Sequence, residues 1–248
     1  MAEKPFATGT LRNLRRYPVK GIAGEDLSEV FVTFAGLIGD RIYAFSDPQN
    51  HTNFPWMTAR KWPGMILLQP RFLEPPSSGQ EWPVANTFRV EVTTPEGDRY
   101  DVGDPRFHQY LEKQFGRSLE FRFSERSMHD ARPVSLISRQ TIEALSAETN
   151  LTLDHRRFRA NFVVDWDSTG PFFEDSLVGR RARIGDVLEV MVVKNDARCN
   201  VITLDPDTAA ASPEVLQTVA KHHASCAGVY GAVLREGIVR RGDRVSVD

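Results

Sequence analysis

Cys199 stands in Asp196-Ala197-Arg198-Cys199-Asn200, between two strand-like runs, Val187–Val193 and Val201–Leu204. A thiolate is a nucleophile and a soft metal ligand, and a guanidinium beside it, here Arg198, favours that form. The same residue also reads as a small, half-buried apolar side chain, the usual fate of a free thiol. The second cysteine, Cys226, has no charged sequence neighbour in Ala224-Ser225-Cys226-Ala227-Gly228 and reads as packing. Two cysteines make no disulfide framework. Basic residues punctuate several turns: Lys20 in Tyr17-Pro18-Val19-Lys20-Gly21, Arg41 after Gly39-Asp40, Arg60 in Thr58-Ala59-Arg60, and Arg159 in Phe158-Arg159-Ala160-Asn161. Singly each reads as a surface charge. Together Lys20, Arg41 and Arg159 could clamp an anion, since forked guanidinium donors suit phosphate. Whether they converge is open at this level. His222 and His223 follow a helical segment and, as adjacent residues, face different ways. They read as helix C-terminal cations rather than metal ligands.

Several chemistries have no visible site. No G-x-G-x-x-G follows a strand, and G-x-x-x-x-G-K-[ST], H-E-x-x-H, C-x-x-C and G-x-S-x-G are all absent. Any redox electrons must therefore arrive from another protein.

The elements that must position these residues are mostly short strands. Phe88–Val92 and Leu119–Phe123 alternate with period two, as strands with one buried face do. Gly228–Leu234, a turn at Arg235–Gly237 and Ile238–Arg240 read as a hairpin. Three helices are expected: Pro105–Phe115 ended by Gly116, one beginning after Ser138, and one with Ser212 as N-cap and Pro213 at its first position. Glu74–Glu81 reads as a loop by composition, and a boundary falls near Ser124–Arg132. The balance favours a mainly β fold with α inserts (α+β), built as a barrel or barrel-like sheet. With 248 residues, 41% hydrophobic and 26% charged, the chain has room for a conventional core. A net charge of −2 argues against nucleic-acid and membrane-surface binding. No apolar run approaches a bilayer span, and Met1–Pro5 lacks the layout of a secretory signal, so a cytoplasmic, reducing setting is expected.

These segments, in this order, resemble the MOSC family, and within it the branch carrying an N-terminal MOSC-associated barrel that includes the mitochondrial amidoxime reducing component and bacterial relatives. The likeness rests on Tyr17–Gly21, Gly39–Arg41, Thr58–Arg60, Phe158–Asn161, Ile184–Val187 and above all Arg198–Thr208, with Gly237–Asp243 resembling the closing hairpin. It implies an N-terminal β-rich domain over 8–123 and a MOSC-type β-barrel over 124–248. It further implies a molybdenum cofactor (Mo-molybdopterin) whose metal is held by Cys199, a soft ligand for a thiophilic metal. By motif position Lys20 and Arg41 would grip the phosphate end, while Arg159 and Asn161 would hydrogen-bond the pterin. Asp130, Arg132, Arg198 and Tyr230 match cofactor-lining positions. Gly21 stands where relatives often carry Ser, and Ala160 where they often carry Pro. Asp205 would orient the loop beyond Cys199 or face the substrate, and it also reads as an ordinary Asx-Pro turn. The implied activity is reduction of N-hydroxylated small molecules, of the amidoxime or N-hydroxylamine type. Its electrons would come from an external ferredoxin, flavoprotein or cytochrome b5-like donor. A carrier of the cofactor or of sulfur on the same cysteine is the alternative, and a binding barrel with an inert Cys199 a third.

Overall fold

Residues Ala7–Arg16 form a ten-residue strand paired along both edges. In the computed structural model, which describes residues 5–74 and 88–248, this strand pairs antiparallel with Phe162–Trp166 on one side and Arg244–Val247 on the other. It thereby closes a seven-stranded ring that runs on through Val134–Ser138, Cys226–Arg235, Leu188–Ala197 and Arg181–Ile184 back to Arg244–Val247. Closure leaves no open edge to template aggregation. Alternate residues point inward, so Leu11, Leu14, Leu136, Phe162, Val164, Val190, Val192, Val245 and Val247 make one continuous core. The one parallel pair in the ring, Val134–Ser138 with Phe162–Trp166, needs a crossover. Helix Arg139–Thr149 supplies it.

A second core gathers Phe45, Met57, Met65, Leu68, Val90, Val92, Phe107 and Leu111. It lies among the strand pair Tyr43–Ser46 and Glu120–Phe123, the sheet Gln69–Phe72, Val90–Thr93 and Arg99–Asp101, and helix Pro105–Phe115. That helix runs as expected. Asp104 caps the Arg106 amide, Pro105 opens the first turn and Gly116, at φ 66°, ends it in the left-handed conformation. A third core joins helix Arg139–Thr149 to helix Pro213–His222 through Ile142, Leu145, Val215 and Val219.

Two expectations are corrected. Gly237–Arg240 does not fold back on Cys226–Arg235; it crosses to pair with Glu29–Thr33 of the N-terminal half. The alternation of that segment marks a strand but carries no information about its partner. Ser212, with φ −118° and ψ 82°, precedes the third helix, yet its side chain makes no capping bond. Beyond Glu74, the loop expected to Glu81 lies outside the described residues. Among the described residues no helix is long and apolar enough to cross a membrane.

Candidate functional site

The loop that follows the ring strand Leu188–Ala197 is held from two sides. Ile202 packs into the core of the two C-terminal helices, while Leu204 and Val201 pack against the core of the N-terminal half. Cys199 is thereby fixed, half-buried, at the head of a short 3-10 turn, Asn200–Thr203. It lines a cleft that encloses about 860 Å³ of empty space, part of it open to solvent.

The cleft gathers residues from distant parts of the chain. Lys20, Gly21, Arg41, Asp130, Arg132, Arg159, Asn161, Arg198 and Tyr230 all line it together with Cys199. Arg60 and Arg157 bring its cations to seven, against two carboxylates, Asp130 and Asp196. A low-dielectric recess with that excess of positive charge suits an anion.

Arg41 and Arg159 are built alike. Both have left-handed backbone, and both guanidinium carbons lie over the Tyr17 ring, at 4.7 and 4.5 Å. Asp40, fully buried, accepts from the Tyr17 amide at 2.7 Å and from the Arg41 guanidinium. Burial draws the Arg41 proton affinity down, but Asp40, Tyr17 and Asp130 together outweigh it and the net direction is up. Among the described residues Arg159 has no carboxylate partner within ion-pair distance, and burial lowers it to about 10, still charged at neutral pH. Its Nη1 donates to the Ile22 carbonyl at 2.6 Å. Burial also lowers Lys20, partly offset by Asp130, with which its ammonium pairs beside the Met128 carbonyl.

Arg198 does not hydrogen-bond the thiol it precedes. Its guanidinium reaches Asp196 at 2.9 Å, the Phe158 carbonyl at 2.8 Å and the Ala227 carbonyl at 2.6 Å, leaving Nη2 buried without a partner among the described residues. An orphaned buried donor on a cleft wall is a demand for an acceptor.

Two expected site residues play other parts. Asn161 spends its amide on the wall: Nδ2 donates to the Arg15 carbonyl and to Asp40, and Oδ1 accepts from the Ser135 amide and hydroxyl. It ties two strands to the turn at Asp40 and offers no free donor. Asp205 does not line the cleft. It accepts from the Asp207 and Thr208 amides as an Asx turn, and it holds Arg157, whose other fork tip reaches the Thr203 carbonyl at 2.7 Å. Of its two roles weighed above, loop orientation fits this geometry. Gly21 could not be Ser without movement, since φ is 91° and an added Cβ would sit 2.9 Å from Met65 Sδ.

Sequence reasoning missed Arg157, Asp196 and Tyr17 as parts of the site. Arg157 lies in the run His155-Arg156-Arg157-Phe158-Arg159, a density of cations that was available as a signal. Nothing local distinguished Asp196. Among the described residues no group of three or more His, Cys, Asp or Glu side chains gathers for a metal, so a metal here would have to bring most of its ligands with it.

Residues 124–246 match the model of the MOSC domain, and residues 8–104 that of the MOSC N-terminal beta barrel domain. The chain is 28% identical over 242 residues to a molybdenum cofactor sulfurase of Drosophila grimshawi, covering 85% of this chain and 30% of that protein. It is 37% identical over 86 residues to one of Drosophila mojavensis, covering 35% of this chain and 10% of that protein. The chain thus spans less than a third of the length of these curated relatives. Among solved structures it is similar to the YuaD protein from Bacillus subtilis, with a TM-score of 0.49 and 14% identity over 97% of this chain and 95% of that one.

Proposed function

The chain belongs to the MOSC family, and from that premise we propose that it is a molybdenum-cofactor-dependent oxidoreductase that reduces N-hydroxylated compounds with electrons from an external donor. The observation that carries this reading is the convergence of Cys199 and seven cations on one cleft, with Arg198 Nη2 buried and unpartnered beside them. That donor set fits a ligand with a soft metal at one end and a phosphate at the other.

When bound, such a cofactor supplies a metal that changes by two electrons and exchanges an oxygen atom. Cys199 would be its protein ligand. Lys20, Arg41 and Arg159 would neutralise the anionic end, and Arg198 would satisfy its free Nη2 on the pterin. Phe54 and Phe158 add apolar wall to the cleft and limit water there. The substrate would be a small amidoxime or N-hydroxylamine. The donor would be a ferredoxin, flavoprotein or cytochrome b5-like protein.

Molybdenum and pterin analysis of protein expressed with ample cofactor supply, beside Cys199→Ser, tests the reading. Near-stoichiometric metal in the parent, a loss of metal in the variant and reduction of benzamidoxime with an artificial donor are expected. Metal content unchanged by Cys199→Ser would overturn it. A carrier of sulfur or cofactor on Cys199 is the second reading, favoured by the likeness to the sulfurases. Fully loaded protein that leaves benzamidoxime untouched would select it.

A further inference from the structure

Asp196 sits where its strand leaves the ladder. The register between Leu188–Ala197 and Cys226–Arg235 shifts between Asn195 and Ala197. Such a bulge re-aims a side chain, and here the Asp196 carboxyl, 5% exposed, becomes part of the cleft wall three residues before Cys199. Arg198 Nη1 lies 2.9 Å from one of its oxygens, and Tyr230 of the neighbouring strand lines the cleft with it. Asp130, Arg41 and the Cys226 thiol are the other titratable groups that feel its charge. Burial raises the proton affinity of this carboxyl, and Arg198 only partly opposes that.

Breaking an N–O bond with two electrons requires two protons, one of them on the departing oxygen: R–NH–OH + 2e− + 2H+ gives R–NH2 and H2O. The other cleft groups are poor sources. Six of the seven cations are guanidinium groups, which do not give up a proton near neutrality. Lys20 is tied to Met128 and Asp130. Asp130 is held below the usual carboxylate range by Lys20 against the effect of burial, and so has no proton to give. His129 is pushed down by burial, which leaves it neutral with its Nε2 on the Ala35 carbonyl.

Resting on the reductase reading, we propose that Asp196 is the acid of this cleft: its carboxyl gives a proton to the oxygen that leaves the N–O bond, and Arg198 holds it in place. The electron pair comes from the external donor and the second proton from solvent.

Asp196→Asn keeps the size and the hydrogen bonds but carries no acidic proton. In protein loaded with molybdenum and pterin, the variant should keep its cofactor content within about twofold while benzamidoxime turnover falls by about a hundredfold or more. The parent's kcat should decline as pH rises through the ionisation of Asp196, and Asp196→Glu should restore part of the rate. Independently of turnover, infrared spectra recorded across a pH titration should show a protonated-carboxyl band that is lost as pH rises and is missing from Asp196→Asn. A variant with unchanged kcat, a rate that falls only in step with lost cofactor, or no such band in the parent each overturn the assignment. Active parent protein with an equally active Asn variant removes this assignment alone. Loaded parent protein that reduces no N-hydroxylated compound removes the reductase reading and the assignment together.

Discussion

Arg41 donates from Nη2 to the carbonyl oxygen of Arg159 at 3.1 Å, and the two residues share a left-handed backbone, with φ of 51° and 52°. Such a conformation costs a side-chain-bearing residue about 1–2 kcal/mol and persists where the surroundings over-determine it. Here Tyr17, buried beneath both guanidinium groups, and Asp40 behind them provide that constraint. Strain held at two neighbouring cations on one cleft marks them as presented groups rather than incidental surface charge.

Removing one of the pair should therefore weaken anion retention more than folding. Arg159→Gly relieves the left-handed backbone while deleting the guanidinium. Loss of a charge-assisted contact worth about 1.5–3 kcal/mol predicts roughly ten- to hundredfold weaker retention. Pterin and molybdenum content after exhaustive dialysis reads this directly. Undiminished content with an unchanged urea midpoint would show that Arg159 does not hold the ligand.

Gly21→Ser, the residue often found in relatives, should destabilise this chain instead of adding a useful hydroxyl. The new Cβ would meet Met65 Sδ at 2.9 Å and the Thr58 Cα at 3.0 Å, at φ 91°. A cost of about 1–3 kcal/mol is expected, seen as a lower urea midpoint at constant m. A variant as stable as the parent would mean that the loop Pro18–Gly21 relaxes freely.

The Asp205 turn should make the Cys199 loop acid-sensitive. Burial pushes the Asp205 carboxyl up, but the Asp207 amide, Thr208 and the Arg157 charge outweigh it, so its folded value lies below the ordinary one. A depressed carboxylate contributes its stability in full above the unfolded value, about 3.9, and loses it as pH falls through the folded value. Asp205→Asn should cost about 1 kcal/mol near neutrality, since Asp205 is a third exposed, and less near pH 2. Urea midpoints at the two pH values test this. A gap that does not narrow in acid would contradict it.

Much of the site was legible because the chemistry is carried by short segments. Cys199 with Arg198, Lys20 with Gly21, and Arg159 could each be picked out by type and local setting, and all line the cleft. Asp205 and Asn161 show the limit. Both were legible as polar residues in motif positions, yet their hydrogen bonds go to Arg157, Arg15, Asp40 and Ser135, groups that only the folded chain brings near. Asp196 had no local signal at all, because a bulge, not its neighbours in sequence, turns it inward.

The amino-acid order by itself determined what is local. Period-two alternation set which face of each strand is buried, and Asp104, Pro105 and Gly116 set the ends of the first helix through backbone hydrogen bonds a few residues long. Only the tertiary structure decided which strands meet. Gly237–Arg240 chose Glu29–Thr33 over its sequence neighbour, and Ala7–Arg16 closed a ring with strands more than a hundred residues away. Alternation names a face but not a partner. The same holds for charge: Arg159 and Lys20 acquire their proton affinities from burial and from fields of residues distant in sequence, which no window along the chain contains.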